Sequence, residues 1–204
     1  MPAPTYSPTT RLLHALIAAT VTIQLFSSLV MDHPRTARPM TQTGGWLFRA
    51  HEWIGLAALG VLVVSWAYRV LSWKRQSQGR LFPWITRQGL FALVQEALAF
   101  LRLKWTRIPE DGALVGMVHG AGLVVASLMA LTGGALYVLL GPADTVTPTV
   151  RAVMEVHSTI ATLMWIYFYG HAAMALWHQY MGHGTLARMF CFGASTDGPA
   201  RGGK

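Results

Sequence analysis

Residues 155–180, EVHSTIATLMWIYFYGHAAMALWHQY, decide the fold. A helix of about 20 apolar residues crosses the roughly 30 Å hydrocarbon core of a bilayer, and this run carries one acid, Glu155, at its very start. Inside it, His157 and His171 stand fourteen residues apart. At about 100° and 1.5 Å per residue they fall on nearly one face, roughly 21 Å apart along the axis, one toward each side of a membrane. Ionisable side chains inside a span are costly and mark function. The span is predicted to run from about Ala152 to Tyr180.

Three further stretches match it in length and character: Arg11 to Met31 (RLLHALIAATVTIQLFSSLVM), Glu52 to Trp73, and Ala113 to Leu140, where Gly133 and Gly134 permit close packing or a bend. Turn residues follow the first (Asp32, His33, Pro34) and the third (Gly141, Pro142). The whole chain agrees with lipid as its solvent. Of its 204 residues 53% are hydrophobic and only 12% charged, half the charge of an ordinary soluble domain, and the mean hydropathy is +0.40. The first run lacks a basic leader and a small-residue cleavage site, so it is expected to be a span and not a cleaved signal peptide. The expectation is an all-α integral membrane four-helix bundle over residues 1–192, with residues 193–204 (GASTDGPARGGK from 193) a disordered tail.

A formal charge of +8 invites a nucleic-acid reading, but the basic residues lie between apolar spans and form no binding stripe. Lipid headgroups and topology explain them better, so no nucleic-acid partner is expected. With four spans, the chain ends and the connection between spans two and three share one side. That side collects Arg11, Arg69, Lys74, Arg75, Arg80, Arg87, Arg102, Lys104, Arg107, Arg188, Arg201 and Lys204; the other has Arg35, Arg38, Arg49 and Arg151. The positive-inside rule makes both termini cytoplasmic; in a bacterium the membrane is the inner (plasma) membrane. Within the long connection, Gly89 to Trp105 (GLFALVQEALAFLRLKW) is too short and too charged for a fifth span. It reads as an interfacial amphipathic helix, or equally as a loop helix packed on the bundle.

Eight histidines are present with a single cysteine, Cys191, which excludes an intrachain disulfide, an iron–sulfur cluster, a multi-cysteine zinc site and covalent haem attachment through CxxCH. In the predicted topology His14, near the start of span one, is level with His171, and His51, at the outer start of span two, is level with His157. Two histidines at each of two depths suit two stacked, non-covalent haems b with bis-histidine ligation. A proton relay and a metal site without haem compete with this reading, although no Asp or Glu lies deep in a span to complete a divalent metal shell. Glu52 and Glu155, read at the outer helix starts, are accounted for by the helix dipole.

TTRLLHALIA, HEWIGLAALGVLVVSWAYRV, VHGAGLVVASLMALTGGALY, the run at 155–180 and the HGTLARMF after it resemble the spans of the bacterial cytochrome b-561 family. That superfamily includes the cytochrome b subunits of nickel hydrogenases. The resemblance implies His14, His51, His157 and His171 as axial iron ligands of two haems b, in agreement with the depth pairing. His119 matches a histidine that recurs in the family without being an axial ligand; a propionate or quinone contact and a helix-packing hydrogen bond are both open for it. His178, seven residues after His171, is a candidate neighbour of the inner haem edge or a quinone pocket, or an interfacial polar residue. Arg11 and Arg69 suit haem propionates through their planar forks, and snorkelling to headgroups explains them equally. The tryptophans read mostly as an aromatic belt at the membrane boundaries. The long basic connection departs from small stand-alone family members.

An iron with two histidine ligands has no open coordination position and serves electron transfer. The expected function is respiratory-type electron transport between a redox partner protein and the quinone pool, ubiquinone or menaquinone. A self-contained superoxide:quinone oxidoreductase is the alternative, with Arg35, Arg38, Arg49 and Arg151 steering the anion. A non-redox scaffold with hydrogen-bonded histidines is the third reading.

Overall fold

The computed structural model describes residues 7–34, 40–72, 81–102, 112–141, 146–181 and 185–190, with the side chains of Thr185, Ala187 and Arg188 excepted. Six α-helices and one short 3₁₀ turn account for it, and no strand occurs among the described residues. In chain order they are α1 (Pro8–Ser27), α2 (Gln42–Leu71), a 3₁₀ turn (Pro83–Ile85), α3 (Arg87–Leu101), α4 (Ala113–Leu140), α5 (Pro148–Tyr180) and α6 (Thr185–Phe190). Four of them, α1, α2, α4 and α5, are long and apolar enough to cross a membrane.

The third span lies where the sequence predicts it, at Ala113–Leu140. The others shift outward for identifiable reasons. Thr41 caps α2 by accepting a hydrogen bond from the Gly44 amide (3.0 Å), so that helix starts at Gln42, ten residues before the predicted Glu52. Thr147 does the same for α5 through the Val150 amide (3.2 Å), with Pro148 at the first helical position. Ser7 caps α1 through the Thr10 amide (3.2 Å), and that helix stops at Ser27, short of the predicted Met31. These caps are worth about 1 kcal/mol each. As a result Glu52 is not at a helix start. It lies ten residues inside α2 and pairs with Arg49 at 2.9 Å, so the ion pair replaces the dipole as its explanation.

Helix α1 packs on α2, α2 on α4, and α4 on α5. The gap from α5 back to α1 is closed by side chains, Phe26 meeting Trp165 and Phe168 edge-on at 5.3 and 6.1 Å, and at one end by α6, which packs on both helices. The buried core is thin, as it is when lipid covers the outside. Leu25, Leu62, Leu123, Ala126 and Met164 fill the middle, and Phe48, Leu140, Val150 and Met154 fill the end where α2 and α5 begin. The outward faces carry exposed residues such as Leu16, Ile23, Val63, Val64, Leu131, Val138, Leu163 and Ile166.

Two of the tryptophans read as boundary residues are internal. Trp66 donates to Ser127 Oγ (3.0 Å) and stacks on Phe82 at 5.9 Å, while Trp165 stacks on Tyr169 at 5.4 Å. Trp73 and Trp105 lie outside the described residues.

Helix α4 is notched with glycine. A methyl group on Gly120 would overlap the Leu81 carbonyl oxygen and touch Trp84, and one on Gly122 would overlap the Tyr167 ring. Helix α3, predicted over Gly89–Trp105, is capped by Thr86 through the Gly89 amide (3.0 Å) and covers Arg87–Leu101. It is docked on α4: Glu96 accepts hydrogen bonds from the Ala113 and Leu114 amides (3.0 and 2.8 Å), satisfying two of α4's unpartnered N-terminal donors. Leu90, Phe91, Val94, Leu98 and Leu101 nevertheless remain exposed along it.

At the opposite end, Asp32 Oδ2 accepts from both the amide and the hydroxyl of Thr41 (2.7 Å each), and its own amide donates to the Gly44 carbonyl (3.3 Å). These bonds hold the Asp32 carboxyl below its ordinary range, the side-chain bond most of all.

Replacing Gly120 with Val is expected to displace residues 81–84 and to lower stability by about 1–3 kcal/mol, read by thermal melting in detergent. Gly60→Ala, at a position with open space around it, should match the parent or exceed it by up to about 1 kcal/mol. Because Asp32 binds its proton less tightly folded than unfolded, its clamp is intact above about pH 4 and is lost as pH falls further. Limited proteolysis near Asp32 should accelerate in that acid range in the parent, and Asp32→Asn should remove most of the pH dependence.

Candidate functional site

Two groups of imidazoles lie inside the bundle. At the end where α1 and α4 begin, His14 (α1), His119 (α4) and His171 (α5) converge. The His14 and His171 ring centroids are 6.2 Å apart, and His119 meets His171 edge-on at 5.3 Å. Tyr167 lies one helical turn before His171 and stacks on it at 5.2 Å with an interplanar angle of 14°; the Gly122 notch makes the room. Phe190 of α6 covers the other side of His14 at 5.5 Å.

At the far level stand His51 (α2) and His157 (α5), electrostatic neighbours of each other. His51 is not at a helix start as predicted. It lies nine residues inside α2, and His157 nine inside α5, each about 14 Å from its helix end. The depth follows from the early caps at Thr41 and Thr147, and the Phe48–Leu140–Val150–Met154 cluster covers that end.

The hydroxyls beside this pair fix its tautomers. Thr132 Oγ1 lies 2.8 Å from His157 Nδ1 and also 2.8 Å from the Leu128 carbonyl. A hydroxyl has one hydrogen and a carbonyl only accepts. Both contacts are hydrogen bonds only if Thr132 donates to Leu128 and His157 Nδ1–H donates to Thr132. Ser27 repeats the arrangement: its Oγ lies 3.1 Å from His51 Nδ1 and 3.2 Å from the Gln24 carbonyl. In both rings this puts the proton on Nδ1 and the lone pair on Nε2, as histidines that ligate metals commonly have it. Gln24 steadies the same region, its Nε2 donating to the His51 carbonyl (3.0 Å). Gly133 gives the His157 ring its place, since a methyl there would stand 3.3 Å from His157 Cε1.

Three helices measure the distance between levels independently. His14 to Ser27 on α1 and His119 to Thr132 on α4 are thirteen residues each, and His157 to His171 on α5 is fourteen. All give about 20 Å.

The prokaryotic cytochrome b561 family matches residues 5–191. The chain belongs to that family. Comparison with curated proteins and with solved structures returns no match. Membership makes it a multi-pass, haem-binding b-type cytochrome of electron transport across the membrane, and it allows a test of the residues against the group. An imidazole nitrogen sits about 2 Å from a bound metal and about 1 Å from its ring centre, so two histidines on opposite faces of one iron have ring centres about 6 Å apart. The 6.2 Å of His14 and His171 fits; the perpendicular 5.3 Å contact of His119 does not. His119 Nδ1–H is committed to the carbonyl of Val115, one turn back on the same helix, at 2.8 Å. Among the described residues no group of three or more His, Cys, Asp or Glu side chains is arranged to hold a metal alone. The imidazoles of His14 and His171 thus fit the group that this cytochrome b561-family chain binds.

Arg69 is an electrostatic neighbour of His119, and Arg11 lies one turn before His14 on α1; both side chains are half-buried. His178 lies in the last turn of α5, two turns beyond His171. Ser27, Thr132, Tyr167 and Phe190 escape a reading based on histidine spacing. The signal for the two hydroxyls was there in the thirteen-residue intervals from His14 and His119.

Gly133→Val is expected to push His157 off its Thr132 partner. Its stability should fall by about 1–3 kcal/mol, read by thermal melting in detergent.

Proposed function

We propose that this chain carries two haems b, one between His51 and His157 and one between His14 and His171, and passes electrons along them between a redox partner and quinone. The observation that carries the reading is the pairing itself. A 6.2 Å ring separation at one level lies about 20 Å from a second pair whose Nδ1 atoms are held by Ser27 and Thr132. Bound haem would supply one-electron iron chemistry, held by these imidazoles. The chain's residues do the rest: the hydroxyls fix tautomers, the glycines of α4 admit the rings, and the apolar cluster at Phe48 and Val150 excludes water.

The excess of Lys and Arg on the side of the chain ends favours cytoplasmic termini in a bacterial inner membrane, which puts the His14/His171 pair on the cytoplasmic side. There Arg11 and Arg69 are suited to hold propionates. A quinone, ubiquinone or menaquinone, takes two electrons and two protons to become quinol, and His178 near the end of α5 is a candidate contact for it. The exposed apolar stripe of α3, backed by its bond to α4 through Glu96, suits a seat on lipid at the headgroup level, beside which a redox partner would dock. Superoxide as donor draws less support, since the pairing of Arg49 with Glu52 at 2.9 Å neutralises one of the four arginines that would steer the anion.

The test is a pyridine haemochrome count on detergent-purified protein with single ligand variants. The parent should hold two low-spin haems b per chain. His14→Ala and His171→Ala should each lose the same haem, His51→Ala and His157→Ala the other, and His119→Ala should keep both. One haem in the parent, or loss of haem from His119→Ala equal to that from His14→Ala, would overturn the pairing.

A further inference from the structure

The two imidazole pairs differ in what stands behind them. His51 and His157 each donate Nδ1–H to a hydroxyl, at 3.1 and 2.8 Å. The Nδ1 of His14 is buried and has no hydrogen-bond partner among the described residues. His171 has ring contacts with His14, His119 and Tyr167 and no hydrogen bond among the described residues. Donation of Nδ1–H shifts electron density onto Nε2 and makes it a stronger ligand. A stronger donor stabilises the more positive, oxidised iron, so the pair with hydroxyl acceptors favours the oxidised state relative to the pair without them.

We infer that Ser27 and Thr132 act as positioning residues that set the His51/His157 haem at a lower reduction potential than the His14/His171 haem, so that electrons run downhill from the first level to the second. The inference rests on the di-haem reading above. An electron that leaves the His51/His157 level returns that iron to its ferric state and makes the His14/His171 iron ferrous, so charge balances with no further reactant. Arg69, an electrostatic neighbour of His119 at the second level, acts in the same sense, because positive charge favours the reduced site. In the proposed orientation the flow is from the outer face to the cytoplasmic face, and the class of reaction it serves is reduction of quinone by an outer donor.

The experiment is a potentiometric titration of the purified holoprotein, monitored by absorption and low-spin EPR, with the two haems assigned through His51→Ala and His14→Ala. Thr132→Val and Ser27→Ala should keep two haems and shift the His51/His157 haem upward. The expected change is about tenfold in the sharing of one electron between levels, equal to about 59 mV for a one-electron couple. Thr132→Ser, which keeps the hydroxyl, should restore the parent value. Unshifted potentials, a shift confined to the His14/His171 haem, or a parent in which the His51/His157 haem is the higher of the two would each overturn the inference and leave the di-haem reading standing. Haem loss from Thr132→Val that Thr132→Ser does not repair would assign Thr132 to packing and overturn it likewise. A parent without two haems would sink the reading beneath.

Discussion

A neutral imidazole carries one N–H donor and one lone pair, and in a bundle surrounded by lipid no water is at hand to satisfy either. That constraint organises the interior. His119 settles its donor on the carbonyl one turn back, at Val115. His51 and His157 settle theirs on Ser27 and Thr132, whose own hydrogens go on to the carbonyls of Gln24 and Leu128. Each chain of bonds ends on a helix backbone, so ring orientation is tied to helix geometry, and the helices must be long enough to bring those carbonyls to the right depth.

Small residues make that arrangement possible. Lipid tails give helices no hydrophobic reason to prefer one another, so packing depends on close approach. Helix α4 supplies it at Gly120 for the connection at Leu81, at Gly122 for Tyr167, at Gly133 for His157, and at Gly134 for Leu59. The same helix contributes His119 and Thr132 between those notches. It therefore works as the ruler of the bundle, with notches for bulky neighbours and polar groups at the two working depths.

The four spans and the two histidine levels were legible in the sequence because they depend on length, apolarity and period. Span three was read to the residue, helped by Gly141 and Pro142 after it. Spans two and four were drawn too short because Thr41 and Thr147 lie ahead of polar or mixed stretches that hydropathy alone assigns to loops; the caps extend the helices outward. That error placed His51 at a helix start and Glu52 on a dipole, where the structure has a buried ring and an ion pair. Ser27, Thr132 and Tyr167 were missed for another reason. Serine, threonine and tyrosine are ordinary in membrane helices; only the pairing of α1 with α2 and of α4 with α5 gives Ser27 and Thr132 imidazole partners, and Tyr167 meets His171 on its own helix. The arginines of the outer loop at Arg35 and Arg38, the basic residues Lys74 to Arg80, Lys104 and Arg107, and the tail from Cys191 onward lie outside the described residues.

The matched intervals on α1, α4 and α5 restrict how the chain can change over evolution. Deleting or inserting one residue between the two levels of any of these helices would turn one level against the other by about 100°, carrying a histidine or its hydroxyl partner out of the interior and toward lipid. Substitutions between the levels face no such penalty so long as they remain apolar and of similar size. Drift in these three segments is thus confined to residue identity, while gains and losses of length are channelled into the connections, such as the long segment between α2 and α4.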